Sequence, residues 1–134
     1  MTTPEAMRAK IEQLKKDGYR IDTDIHPGHV VVKWKDRVVA ESDRAVILKE
    51  TRHAPVIYVP REDARMSILQ RTTHTTHCPF KGDANYFTLV SNGDRAENAV
   101  WTYESPIPDV AAIAGHLAFY TEDMGAHFGI HIEM

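Results

Sequence analysis

The sequence contains one cysteine, Cys78, so no disulfide can form within the chain. It has no apolar run approaching the roughly 20 residues of a membrane-spanning helix. Its opening stretch, MTTPEAMRAKIEQLKKDGY, lacks the apolar core of a secretory signal. Positive charge is short as well. Lys and Arg number 16 against 19 Asp and Glu, giving a net charge of −3 with the eight histidines neutral. Nucleic-acid partners usually meet a basic face, and this balance does not favour one, although it leaves room for a local basic patch. There is no G-x-x-x-x-G-K-[ST] loop, no G-x-G-x-x-G fingerprint and no serine in a nucleophile elbow. These absences lead to expectations of a reducing, cytoplasmic setting, no membrane or nucleic-acid partner, and no resident cofactor.

What is present fits a single domain over residues 1–134. The chain is 43% hydrophobic and 26% charged, the mixture of an ordinary globular protein. A chain of this length buries roughly two-thirds of its unfolded surface, enough for one core without a metal or disulfide staple.

Residues 1–18 read as an amino-terminal helix. Thr3 suits the N-cap and Pro4 the first helical position. Met7, Ile11 and Leu14 make a narrow apolar stripe, and Gly18 follows Lys15 and Lys16 as a stop. From about Ile25 the pattern turns to strands. HVVVKWKDRVVAES reads as a hairpin with Val30, Val32 and Trp34 on one face and Asp36-Arg37 near the turn. AVILKE and VIYVP are short β-branched runs, the second fenced by Pro55 and Pro60. RMSIL and the Thr-rich RTTHTT form another extended stretch. ANYFTLV and AVWTYE flank Asn92-Gly93, the strongest hairpin signal in the chain. Val110 to Ala114 has room for one or two helical turns, and HLAFY and HFGIHIE end the chain as strands. The fold class is therefore mainly β, α+β by virtue of one helix: a compact antiparallel domain. Its strands, about eight of them, either close a small barrel or pack as two sheets.

His74, His77 and Cys78 invite a metal reading, since two histidines three apart share a face on a helix. This segment is β-branched, however, and Pro79 pushes Cys78 towards extended backbone. On a strand, His74, Thr76 and Cys78 face one way while Thr75 and His77 face the other. The ligand cluster falls apart, and no metal site is expected. His127 and His131 would lie about 13 Å apart along a strand, too far for shared coordination. Asp22 and Asp24 can point two carboxylates the same way, as metal-dependent nucleotidyl transfer requires. With 19 acidic residues such spacing arises by chance.

The stretch Cys78-Pro79-Phe80-Lys81-Gly82 has the composition of a β-turn with Pro79 at its second position. Cys78 and Lys81 then lie within about 7 Å, Cα to Cα. An ammonium group so placed favours a thiolate, which makes Cys78 and Lys81 the candidate catalytic pair. The bland alternative is a small buried thiol. With Asn92-Gly93 as a two-residue loop, Ser91 pairs with Asp94, and the same register puts Ala84 opposite Trp101, Tyr86 opposite Ala99 and Gly82 opposite Tyr103. Large residues would then meet small ones. Tyr86, Trp101 and Tyr103 gather on one face beside the turn, either as core or as the lining of a small-molecule site. Arg52 and Arg61 flank strands as solvated ends or as anion ligands.

The ordered blocks VVAESDRAVILKETRHAPVIYVPRED, HTTHCPFKGDANYF and AVWTYESPIPDVAAIAGHLAFY resemble the bacterial family catalogued as domain of unknown function 427. The resemblance runs from about Val30 to Tyr120 and leaves the amino-terminal helix outside. It implies a compact, mostly β domain of β-tent or small-barrel form, with no established activity. The family's motif positions correspond here to Glu50, Tyr58, Pro60, Cys78, Pro79, Lys81, Gly82, Tyr86, Trp101 and Tyr103. The family is also filed under a nucleotidyltransferase label, which no residue here supports.

Two readings follow. In the first, Cys78 and Lys81 form a catalytic or binding centre, with Glu50, Arg52, Tyr58, Tyr86, Trp101 and Tyr103 around a small-molecule ligand. In the second, the protein is a non-catalytic interaction or structural module that self-associates, as a homodimer, through an exposed strand edge or through HFGIHIE.

Overall fold

The computed structural model describes residues 9, 10, 12, 13 and 18–134. Those four early residues are helical, and the rest of the expected amino-terminal helix lies outside the described residues.

The described chain forms ten strands: β1 (Ile21–Ile25), β2 (Val30–Trp34), β3 (Arg37–Ser42), β4 (Val46–Glu50), β5 (Val56–Tyr58), β6 (Leu69–Cys78), β7 (Gly82–Ser91), β8 (Asp94–Thr102), β9 (Leu117–Phe119) and β10 (Ile130–Glu133). Short 3-10 turns span Arg61–Asp63, Met66–Ile68, Pro108–Ile113 and Glu122–Met124. The domain is mainly β and antiparallel, as the sequence pattern requires. The barrel alternative is not realised. The strands form three sheets, ordered β1-β4-β5, β10-β2-β3 and β6-β7-β8-β9. The first and third are stitched together where Val59 and Leu117 exchange two backbone hydrogen bonds of 2.8 Å.

This stitching creates a layer with both faces covered. On one face, Ile57, Phe87, Leu89, Val100, Leu117 and Phe119 pack against Val30, Val32 and Trp34 of β2. The strict alternation of β2 explains its role: every second residue is 0–1% exposed. Burial of such side chains stabilises by roughly 1.5–3 kcal/mol each. The indole N–H of Trp34 donates to the Phe128 carbonyl at 3.1 Å, so its polar edge is satisfied inside the core. The opposite face carries a second cluster of Leu48, Tyr58, Ala84, Tyr86, Trp101, Tyr103 and neighbours. Four aromatic rings in one cluster with polar edges distinguish it from the aliphatic first core.

The Asn92-Gly93 hairpin forms as its sequence dictates, with φ of 50° and 83° at the two loop residues. Ser91, Val90 and Leu89 pair with Asp94, Arg95 and Ala96 in the expected register. Beyond Leu89 the register shifts by two, so Tyr86 pairs with Trp101 rather than Ala99, and Ala84 is not opposite Trp101. The large-against-small pairing is therefore overturned. The cause is a bulge at Asn98, which has a φ of 52° and whose N–H donates to the Thr88 hydroxyl at 3.1 Å. Because the slip is two residues, face parity survives, and Tyr86, Trp101 and Tyr103 remain on one side.

One strand departs from the expected starting point near Ile25. Residues Ile21–Ile25 pair with β4, from Ile21 opposite Glu50 to Ile25 opposite Val46. The alternation there is mostly exposed, which weakens its signature in the sequence. Met66–Ile68 is a 3-10 turn leading into β6 rather than extended chain.

Candidate functional site

The Cys78–Lys81 segment is a β-turn closed by a hydrogen bond from the Lys81 N–H to the Cys78 carbonyl at 3.2 Å. It joins β6 to β7, with Cys78 opposite Gly82. The turn is held from outside, since the Lys81 carbonyl accepts from the Ile107 N–H at 2.9 Å. Gly82 supplies the backbone conformation of the turn. Its φ is 117°, and a Cβ there would lie 3.4 Å from the Ser105 carbonyl oxygen and 3.5 Å from the Pro106 Cα.

The turn sends the Lys81 side chain inward. Its Nζ lies 2.8 Å from Glu50 Oε1 and 3.6 Å from Cys78 Sγ. Glu50, the last residue of β4, also accepts a hydrogen bond from the Tyr19 hydroxyl at its second oxygen. The pair is deeply placed, with side chains 13% and 9% exposed for Lys81 and Glu50. Burial works against both charges, pushing the Lys81 ammonium down and the Glu50 carboxyl up. Mutual hydrogen bonding outweighs it. Lys81 lies above its ordinary value, and Glu50 lies below its own, helped also by Tyr19. Both groups are therefore charged across the neutral range.

An aromatic wall stands beside this pair. Trp101 donates its indole N–H to the Tyr58 hydroxyl at 3.3 Å, and the two rings meet edge to face at 6.3 Å. Tyr120 lies against Trp101 with ring centroids 4.5 Å apart. The Tyr86 hydroxyl bonds Thr76 at 2.9 Å and reaches Tyr120 at 3.5 Å. Burial pushes the hydroxyls of Tyr58, Tyr103 and Tyr120 well above the usual tyrosine value, so all three stay protonated donors.

A cavity of about 650 Å³ lies between the pair and the wall. Seven predicted site residues, Glu50, Tyr58, Cys78, Lys81, Tyr86, Trp101 and Tyr103, line it together. The eighth, Arg52, does not. It is exposed in the turn after β4 with a φ of 68°. Other lining residues, Tyr120 and Met124 among them, are absent from the sequence expectation. Tyr120 was legible by parity, since Ala118 pairs with Trp101 and Tyr120 is two residues on. Met124 forms part of the rim and carries no short-range signal. A second cavity, about 440 Å³, lies across the turn near Phe80, Ile107 and Tyr19, where Tyr19 stacks on Phe80 at 4.7 Å. Neither Cys78 nor Lys81 lines it.

The histidines diverge along β6. His74 packs on the Tyr86 ring at 4.5 Å, and His77 Nδ1 meets Asp83 on the other face at 2.6 Å. Asp22 and Asp24 are both exposed on β1. Among the described residues, no three His, Cys, Asp or Glu side chains converge as metal ligands. Arg61 donates to the Gly115 carbonyl at 3.2 Å and pairs with Glu104 at 3.3 Å, so it caps the β9 approach and stands apart from the cavity. No described helix is long and apolar enough to cross a membrane.

A β domain with a half-sequestered Cys–Lys–Glu cluster against a tyrosine-rich wall defines the class. The family model described as Domain of unknown function (DUF427) matches residues 22–129, and the chain belongs to that family. No curated protein matches the chain.

Proposed function

We propose that the protein binds a small molecule in the 650 Å³ cavity at the Cys-Pro-Phe-Lys-Gly turn, with Cys78 and Lys81 as the chemically active pair. The observation that carries this reading is the Lys81 Nζ, held 2.8 Å from Glu50 and 3.6 Å from Cys78 Sγ at the edge of an aromatic-lined space. Ligand sites are concave, mostly apolar and furnished with a few converging polar groups, and this cavity has that composition. Glu50 acts as a positioning residue, fixing the ammonium group. A cytoplasmic setting accords with a lone thiol kept reduced.

A fragment screen by NMR, read on the two tryptophan indole N–H resonances, tests the proposal. Binders should shift Trp101 and leave Trp34, buried in the other core, in place. A library that moves neither indole, or that maps elsewhere on the surface, would remove the pocket reading.

A second reading rests on β6. This ten-residue strand sits at the edge of its sheet with most of its residues exposed. Open edges template strand pairing, so a homodimer joined at β6 is the structural-module alternative. Sedimentation of the wild-type chain against a Thr75→Pro variant separates the two. A dimer that Thr75→Pro converts to monomer supports the edge reading, and a wild-type monomer at all concentrations removes it.

A further inference from the structure

The lining of the cavity restricts the chemistry of what it can hold. Resting on the pocket reading above, we propose that its ligand is a neutral, planar ring carrying a carbonyl-type acceptor. The ring lies along the Tyr86–Trp101–Tyr120 wall, and the acceptor is directed at Lys81 Nζ and the Tyr103 hydroxyl.

Charge decides the first part. The inner end holds one cation and one anion in contact, Lys81 and Glu50, which cancel. An anionic ligand would have to compete with Glu50 for the ammonium, and Asp123 on the cavity lining adds further repulsion. A cationic ligand would meet Lys81 at the same inner end. A neutral molecule avoids both penalties.

Hydrogen bonding decides the second part. A lysine ammonium has three donors. Lys81 uses one on Glu50 and one, at long range, on Cys78, leaving a third. Tyr103 is only 7% exposed and lines the cavity, yet among the described residues no group pairs with its hydroxyl. The hydroxyl is not among the buried polar atoms left without a partner, so it opens to the cavity, where an acceptor brought by the ligand can take its hydrogen bond. Shape decides the third part. The wall is made of tyrosine and tryptophan rings, and the rim includes Met124 and Met134, which are 45% and 73% exposed. Flat rings and flexible thioethers suit a planar apolar body.

Calorimetric titration of the full-length protein with 2-naphthamide, 2-naphthoate, 2-naphthylmethylammonium and decahydro-2-naphthamide tests the inference. The neutral aromatic amide should bind at least about tenfold more tightly than each of the other three, a difference of about 1.4 kcal/mol. Tyr103→Phe keeps the ring and removes the donor, and should weaken 2-naphthamide about three- to tenfold. Lys81→Met should also weaken it. A naphthoate or ammonium probe that binds as tightly as the amide, or a Tyr103→Phe variant with unchanged affinity, overturns the proposal. Should no naphthyl probe bind while fragments still shift Trp101, the ligand class is wrong and the pocket stands. Should neither occur, both fall.

Discussion

Lys81 Nζ lies 2.8 Å from Glu50 Oε1, and the two residues come from a hairpin turn and the end of a strand 31 positions away. With side chains 13% and 9% exposed, they form an inward-facing ion pair rather than a surface one. Removing one partner from such a pair leaves an uncompensated charge, whereas removing both removes the desolvation penalty too. Glu50→Gln or Lys81→Met alone should lower stability by about 3 kcal/mol, and the double variant should recover most of that loss. Urea unfolding of the three variants gives the coupling directly. Additive losses would mean that the pair is weak and well solvated.

The same pair sets an acid limit. Glu50 has a folded value held below its ordinary 4.5, so its stabilising contribution is fully present above about 4.5. That contribution is lost as pH falls through the lowered folded value. Lys81 has a folded value raised above 10.5, so its contribution is intact below 10.5 and is lost only as pH rises through the folded value. Melting temperature should therefore be insensitive to this pair between about pH 5 and 10 and fall on acidification below pH 4.5. In Glu50→Gln this component of the acid limb should disappear. An identical acid limb in the variant would assign the loss to other carboxylates.

Gly82 is the position where the turn depends on a positive φ. Its φ of 117° disfavours any L residue, while the Ser105 carbonyl, 3.4 Å from where a Cβ would be, stands at ordinary contact distance. Gly82→Ala should cost about 1–3 kcal/mol and displace the Lys81 side chain. At Gly93, φ is also positive, at 83°, but a Cβ meets open space. Gly93→Ala should cost only about 1 kcal/mol, the backbone penalty alone. Equal losses at the two positions would show that the φ of 117° at Gly82 is no more costly than the φ of 83° at Gly93.

The bulge at Asn98 decides which aromatic faces which. Its φ of 52° is tolerated by Asn and Gly and resisted by β-branched residues. Asn98→Gly keeps the backbone but loses the hydrogen bond that the Asn98 side chain accepts from the Thr72 hydroxyl, and should cost about 1 kcal/mol, while Asn98→Val should destabilise by about 2–3 kcal/mol and perturb the Trp101 indole resonance. A silent Trp101 in a destabilised Asn98→Val protein would uncouple the bulge from the site.

Cys78 is half-buried at the cavity with an ammonium group 3.6 Å from its sulfur. If the two act together, iodoacetamide should alkylate Cys78 faster than it does glutathione at pH 7, and Lys81→Met should slow the reaction. A rate at or below that of glutathione, unchanged in the variant, would remove the nucleophile role while leaving the binding role intact.

The elements and their faces are legible in short windows of sequence. β-branched alternation marked β2, prolines bounded β5, and Asn92-Gly93 set the hairpin, because each depends on neighbours within a few residues. The same local rules gave the Cys78–Lys81 turn and separated His74 from His77, since parity along a strand is fixed by the backbone. Tertiary structure alone decided what the turn faces. Glu50 meets Lys81, and Tyr19 meets Glu50, only because β4 and the β6–β7 hairpin belong to sheets stitched through Val59 and Leu117. The pairing of Tyr86 with Trp101 likewise depended on a two-residue slip at Asn98. A contact between residues about 30 positions apart is set by the packing of whole sheets, so no short window of sequence contains it.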